Sequence, residues 1–187
     1  MRHPACRELF DYWRLLCAGR AAPERDAIDP AAIRGILADV FILEVDAPRA
    51  FPFRLSGARL NALLMREQRG ASFLDLWRDS DAAAMAAVLE GMLADRRPVA
   101  AGVTTAPPDH ARLDLELLLL PLRHRGKTHA RVLGCLAPAR VPGWFGLLPA
   151  QPLALASLRV LDARASEEPG PRRGHLVVHA GGRAAMA

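Results

Sequence analysis

A chain of 187 residues, 51% of them hydrophobic, is long enough to bury one complete core, and its aromatic content of only 5% leaves most of the packing to aliphatic side chains. The formal net charge of +5 comes from arginines scattered among acidic residues, with one lysine among 25 basic residues, which argues against a nucleic-acid-binding face. No apolar run approaches the roughly 20 residues of a membrane span, and the start lacks the apolar segment of a secretion signal, so we expect a cytoplasmic protein that contacts neither nucleic acid nor membrane.

The first predicted element is an amphipathic helix from Arg7 to Ala18. Its apolar residues recur at the spacing of one helix face, and Gly19 follows where a helix often ends. This stripe consists of Leu9, Tyr12, Trp13, Leu16 and Cys17. Because a lone helix cannot leave such a stripe in water, we predict that it packs outside the domain's sheet and helps form a homodimer.

A second helix is predicted from Pro30 to about Leu37. Asp29 is a good N-cap residue, and proline at the first helical position gives up only a donor that would be unpaired anyway. The two helices together make residues 1–38 a helical N-terminal extension.

Two strands are predicted next. Val40 to Val45 is an apolar, β-branched run that suits a buried strand, and a turn then leads into Phe51 to Gly57. In this second strand Phe53 and Leu55 are predicted to face one side and the polar residues between and after them the other. The short connection favours an antiparallel hairpin.

A block of helical segments follows the hairpin. Ala58 to Met65 carries leucines at helical spacing, and Ser72 can cap a turn that leads to Trp77. A longer helix is predicted from Asp79 to Asp95, because acidic and capping residues enrich its start.

The order of two strands, a helical block and three strands predicts an α+β fold. Both strand groups need neighbours in one antiparallel sheet, so the helical block must cross one face of that sheet. Residues 39–138 are therefore predicted to form a five-stranded antiparallel sheet with helices on one face, preceded by the N-terminal amphipathic helix. The predicted strands are residues 40–46, 51–57, 98–105, 112–122 and 129–137.

The composition changes after residue 138. Residues 139–162 are predicted to be an extension that packs on the core, in which Leu153 to Leu161 can form either one more strand or a helix. Residues 163–187 are polar and rich in glycine and proline, so we expect a disordered tail.

The sequence carries no enzyme motif. No GxSxG, phosphate-loop or HExxH pattern occurs, and Asp114 and Glu116, two apart on a strand, are expected to be solvated charges. Cys6, Cys17 and Cys135 lack CxxC and cysteine–histidine spacing, so we predict small buried side chains and no metal site. We expect a protein that is not an enzyme.

The sequence leaves several roles open for Arg54, a charged residue of the second predicted strand. If it faces the helices, it is a buried charge that must pair, for example with Glu67 or with an anionic ligand. If it faces outward, it is solvated or contacts the N-terminal helix. A structural salt bridge is favoured over ligand contact. An enzyme of unknown reaction that uses Arg54, Glu67 and a histidine stays as an alternative.

An ordered set of residues resembles a family of bacterial PAS-like domains that is common in alphaproteobacteria. The resemblance covers about residues 7–137, with a weaker match at residues 153–162. The set comprises Tyr12-Trp13, Gly19-Arg20, Pro23, Arg25, Ile28-Asp29-Pro30, Phe53-Arg54-Leu55, Gly57, Glu67, Gly70, Leu120-Pro121-Leu122 and Gly134.

The resemblance implies a stand-alone sensory or regulatory module in bacterial signalling that binds a small molecule, a protein partner or both. A ligand would lie between the sheet and the segment Ala58 to Trp77, and would be anionic or carry a hydrogen-bond acceptor. A ligand-free structural adaptor with a filled core is an alternative. Since residues 58–95 contain neither histidine nor cysteine, we expect no haem or flavin cofactor. The candidate ligand-binding residues are Arg54, Glu67, Trp77, Tyr12 and Trp13.

Overall fold

The computed structural model describes residues 1–45, 48, 50–124 and 127–162, and within the last range the side chains from residue 131 onward. The tail predicted over residues 163–187 lies outside these ranges. Within them no helix is both long and apolar enough to cross a bilayer. The helices are α1 (Pro4–Cys17), α2 (Ala58–Leu64) and α3 (Asp79–Asp95), and the strands are β1 (Val40–Glu44), β2 (Phe53–Ser56), β3 (Val99–Thr105), β4 (Leu113–His124), β5 (Lys127–Pro138) and β6 (Ala154–Val160).

The strands form one antiparallel sheet in the order β2-β1-β5-β4-β3-β6. The predicted PAS-like α+β fold is confirmed, and the sheet has one strand more than the five predicted. The sixth strand comes from the run Leu153 to Leu161, for which the sequence left strand and helix open, and it pairs with β3 at the sheet edge.

The inner face of the sheet, which carries Phe41, packs against α2 and α3. Residues of one strand point alternately to two sides, and Phe41 and Leu43 of β1 share a buried cluster with the apolar sides of both helices. We call this the inner cluster. The buried residues of α3 are Met85, Leu89, Met92 and Leu93.

The outer face of the sheet packs against α1. Val40 and Ile42 of β1 lie in a second buried cluster with the apolar stripe of the helix. The chain's own sheet therefore covers this stripe, which does not require a second copy of the chain. The homodimer stays a prediction, but the stripe no longer motivates it. The buried residues of α1 are Ala5, Cys6, Leu9, Phe10, Trp13 and Cys17.

The start of α1 is capped by two side chains. The helix begins three residues before the predicted start, because Nδ1 of His3 accepts a hydrogen bond from the backbone N–H of Ala5 at 3.2 Å and Pro4 occupies the first turn. The carboxylate of Glu116 accepts the backbone N–H groups of Arg2 at 2.9 Å and His3 at 2.6 Å. The expectation of a solvated Glu116 was wrong, because the unpaired N–H groups at a helix start attract a carboxylate.

The helix predicted from Pro30 to Leu37 is replaced by two short 3-10 turns, Pro30–Ile33 and Leu37–Asp39. Asp29 does cap the first turn, since its Oδ1 accepts the backbone N–H of Ala31 at 2.9 Å. Gly35 stands between the two turns, where its low helix propensity works against a continuous helix.

The β1–β2 hairpin contains a bulge at Arg54. Leu43 pairs with Phe53 and Ile42 pairs with Leu55, so Arg54 is the additional residue of β2. Directly paired residues share a face of the sheet. Phe53 therefore faces the inner cluster, and Leu55 faces the outer side, where it is 44% exposed. The prediction that Phe53 and Leu55 share one face was wrong, because the bulge shifts the alternation by one residue.

Residues 139–153 connect β5 with β6 across the helical layer, and we call this segment the strap. Trp144 of the strap is 8% exposed and belongs to the inner cluster. Backbone hydrogen bonds join Ala150 N–H to the carbonyl of Leu63 at 2.9 Å and Leu153 N–H to the carbonyl of Leu76 at 2.7 Å. The strap thus fastens the helical layer from outside.

Candidate functional site

The space between the sheet and the segment Ala58 to Trp77, where a ligand was predicted, holds aromatic side chains of the chain itself. Phe41, Phe53, Phe73 and Trp77 are each at most 3% exposed. The ring centroids of the contacting pairs lie 5.6 to 5.8 Å apart, the range of direct aromatic contact. A ligand in this space would have to displace these rings.

A glycine makes room for this aromatic group. Gly134 of β5 pairs with Phe41 of β1, and the ring of Phe41 lies directly over the glycine. A β-carbon at residue 134 would overlap the atoms of that ring. Glycine at this position therefore allows Phe41 to reach Phe53 and Phe73.

Two tryptophans of the inner cluster keep an unpaired indole N–H. Nε1 of Trp77 and Nε1 of Trp144 are buried and have no hydrogen-bond partner among the described residues. An indole nitrogen can only donate, and an unpaired buried donor costs about 1–3 kcal/mol. A hydrogen bond from either indole N–H to an oxygen acceptor would therefore remove this cost.

An ion pair between a buried carboxylate and a partly exposed arginine joins the two ends of the β1–β2 hairpin. Asp39, which precedes β1 and is 2% exposed, accepts a hydrogen bond from Nη1 of Arg59 in α2. The helix can approach because residue 57 is glycine: a β-carbon there would overlap the carbonyl group of Ala38. The sequence did not predict this pair, because no local pattern shows that a residue before β1 contacts a helix that follows β2.

Arg59→Ala is expected to lower the free energy of unfolding by about 2–3 kcal/mol. Removing one partner of a buried pair leaves an uncompensated charge, which typically costs about 3–5 kcal/mol. We reduce this value because the Arg59 side chain is 39% exposed, so water can reach the carboxylate of Asp39. Urea denaturation measures the change. Arg66→Ala, an exposed arginine just after α2, is the control, and equal stability of the two variants would contradict the prediction.

A surface groove of about 860 Å³ lies where α1 and α3 end and where the chain leaves β6. A smaller apolar recess of about 140 Å³ adjoins it, since Asp95 and Arg97 line both. We call the two together the terminal groove. Its charged lining residues are Asp11, Arg14, Arg20, Asp95, Arg96, Arg97 and Asp162, and its apolar ones include Val88, Met92, Val99, Leu158 and Val160.

The terminal groove places exposed apolar side chains beside arginines. Leu158 and Val160 are 42% and 52% exposed, and they belong to β6, an edge strand of the sheet. The C-terminal ends of α1 and α3 lie at the groove, and the negative end of a helix dipole favours arginine there. The guanidinium of Arg14 also lies 5.8 Å from the ring centre of Phe10.

Comparison with known proteins identifies the family. The sequence model of the PAS domain matches residues 1–137. The chain belongs to the PAS domain family. Among solved structures, the crystal structure of the Rhodobacter sphaeroides LOV protein is 16% identical, with a TM-score of 0.45 over 62% of this chain and 71% of that chain. An RNA-binding light-oxygen-voltage receptor is 17% identical, with a TM-score of 0.42 over 62% of this chain and 35% of that chain. No curated protein matches.

In this PAS domain the candidate ligand residues Tyr12 and Trp13 fix the N-terminal extension. The hydroxyl of Tyr12 accepts the backbone N–H of Asp29 at 2.8 Å. Nε1 of Trp13, which is fully buried, donates to the carbonyl of Pro121 at 3.0 Å. Tyr12 thus joins α1 to Asp29 within the extension. Trp13 joins α1 to β4 on the outer side of the sheet.

The structure does not bring the charged candidates of this PAS domain together. Nε of Arg54 lies 3.4 Å from Oε2 of Glu44, and the Arg54 side chain is 60% exposed. Glu67 is exposed and forms no ion pair among the described residues. Arg54 therefore pairs with Glu44 rather than with Glu67, and such an exposed pair contributes about 0–1 kcal/mol. Trp77 is the one candidate that lies in the inner cluster.

Proposed function

We propose that this PAS domain is a cytoplasmic regulatory module that binds another protein through the terminal groove and carries out no reaction. The observation that supports the proposal most is the groove itself. Apolar side chains of β6 stay exposed there beside four arginines, whereas the space between sheet and helices is filled by aromatic rings of the chain.

The chemistry of the terminal groove suits a protein partner. Protein interfaces combine a desolvated apolar centre with a polar rim, and arginine is enriched in them. Leu158 and Val160 supply apolar surface, and Arg96 and Arg97 lie at the end of α3 beside it. As an edge strand, β6 also offers backbone groups to an extended segment of a partner.

Site-specific photo-crosslinking in cells tests this proposal. A photoreactive amino acid placed at Val160 is expected to form an adduct with a partner protein. Leu158→Asp in the same chain is expected to reduce the yield of that adduct by at least about tenfold, because a charge would be buried in the apolar centre of the contact. Leu147→Asp is the matched control, since Leu147 is 72% exposed and lies on the strap, outside the groove.

Two outcomes of this experiment decide the proposal. An equal adduct yield in the Leu158→Asp and Leu147→Asp variants would contradict docking at the terminal groove. An adduct of twice the chain mass would identify a second copy of the chain as the partner, which is the homodimer predicted from the sequence but formed through a different surface.

A small-molecule ligand is a second candidate, favoured by the unpaired Nε1 atoms of Trp77 and Trp144. It would need oxygen acceptors on a flat apolar body, because its surroundings are aromatic and the two indoles only donate. A ligand present at a free concentration of 100 times its Kd stabilises the protein that binds it by about 2.7 kcal/mol. A rise in melting temperature with such a compound that is lost in Trp144→Phe would favour this candidate over protein docking.

A further inference from the structure

Two cysteine thiols meet between α1 and an interior strand of the sheet. Sγ of Cys6 in α1 lies 3.7 Å from Sγ of Cys135 in β5. Both residues are fully buried. They stand 129 residues apart in the chain, and docking of the helix on the outer face of the sheet brings them together. Neither thiol contributes to the terminal groove.

We propose that Cys6 and Cys135 form an intramolecular disulfide when a hydroperoxide oxidises the domain, and that this bond fixes α1 on the sheet. A disulfide has a sulfur–sulfur distance of about 2.05 Å. The two Sγ atoms must therefore approach by roughly 1.7 Å from their observed separation. Side-chain rotation and a small shift of a terminal helix provide movements of this size.

The reaction needs only the two thiols and one hydrogen peroxide molecule. The thiolate of one cysteine attacks a peroxide oxygen, the O–O bond breaks, and a sulfenic acid and hydroxide form. The sulfur of the second cysteine then attacks the sulfenic sulfur, a hydroxide leaves, and the two thiol protons convert both hydroxides to water. Overall, the two thiols lose two electrons, the peroxide gains them, and one disulfide and two water molecules result.

The docked helix protects the pair from rapid oxidation. The hydrogen bond with Cys6 and burial raise the pKa of the Cys135 thiol well above its ordinary value, so the reactive Cys135 thiolate is scarce. Peroxide therefore reacts when α1 lifts from the sheet in a local opening. When the helix docks again, it places the second thiol beside the oxidised one, and the disulfide closes.

Oxidation of the full chain with hydrogen peroxide tests this proposal. The intact mass is expected to fall by two hydrogen atoms, the number of free thiols to fall from three to one, and non-reducing peptide mapping to show Cys6 linked to Cys135. Because the bond would close a loop of more than 100 residues, the melting temperature of the oxidised chain is expected to rise by roughly 5–15 °C and to return on reduction.

Cys17 provides the matched control, since it lies on the same helix, 7% exposed, with a pKa that burial raises to about 11. Cys17→Ala is expected to keep the disulfide and the rise in melting temperature, and Cys6→Ala to lose both. Three free thiols in the treated wild-type chain would overturn the proposal, as would a link through Cys17 or between two chains. Peptide mapping of the wild type keeps the test valid even if a variant fails to fold.

Discussion

Gly134→Val is expected to lower the free energy of unfolding by about 3–5 kcal/mol. A β-carbon at residue 134 would overlap the ring of Phe41, which is fully buried and contacts both Phe53 and Phe73. Overpacking alone typically costs about 1–3 kcal/mol. Displacing the Phe41 ring would also lose its contacts, and removal of a buried phenylalanine costs about 3–5 kcal/mol. Urea denaturation followed by circular dichroism measures the change.

Two comparisons separate this steric cause from a general effect of replacing glycine. Gly91 lies inside α3, and a β-carbon added there would meet no atom within 4 Å, so Gly91→Ala is expected to be neutral or to stabilise by up to about 1 kcal/mol. Phe41→Leu combined with Gly134→Ala is expected to cost less than the sum of the two single changes, because the smaller side chain leaves room. A Gly134→Val variant with nearly the stability of the wild type would refute the steric explanation.

Trp13→Ala is expected to destabilise the domain by about 3–5 kcal/mol and to loosen α1 from the sheet. Trp13 is fully buried, its ring lies 6.2 Å from that of Phe10, and its Nε1 donates to the carbonyl of Pro121. Truncation removes the largest buried side chain of the helix and leaves that carbonyl without the indole donor. Urea denaturation gives the free energy, and hydrogen exchange of the α1 amides reports the loosening of the helix.

Two more conservative substitutions in α1 give smaller expected losses of stability, against which Trp13→Ala can be compared. Trp13→Phe keeps most of the apolar surface and loses the hydrogen bond to Pro121, so it is expected to cost about 1–2 kcal/mol. Tyr12→Phe loses the hydroxyl that accepts the Asp29 N–H and is expected to cost about 1 kcal/mol. If Trp13 served as a ligand contact instead, Trp13→Ala would leave the stability of the ligand-free domain nearly unchanged.

The fold could be predicted from the sequence because its signals are local. The run Leu113 to Leu122 alternates at its start and is apolar afterwards, which is typical of a strand that enters a covered sheet. Asp29-Pro30 marked a capped turn, although the turn is 3-10 rather than α-helical. The order of strands and helices along the chain then predicted how the strands are connected, because few arrangements of one antiparallel sheet are compatible with that order.

The candidate site could not be predicted because its geometry depends on contacts between distant segments. The bulge at Arg54 has no mark in the sequence, so the predicted alternation placed Leu55 on the wrong face. Glu116 looked like a solvated charge until α1 placed its first N–H groups beside the carboxylate. The terminal groove likewise exists only because α1, α3 and β6 end at one place.

The docking of α1 on late strands has a consequence for the newly made chain. The helix ends at Cys17, whereas its surface is complete only with β5, which ends at Pro138. At about 5–20 residues per second, synthesis of the intervening chain takes roughly 6–24 s. Throughout that interval the apolar stripe lacks the complete sheet that covers it later, and Cys6 is exposed to oxidants that reach it in the folded domain only when α1 lifts from the sheet. Aggregation through the stripe, and oxidation of Cys6 without its partner Cys135, would therefore concentrate on the ribosome-bound chain.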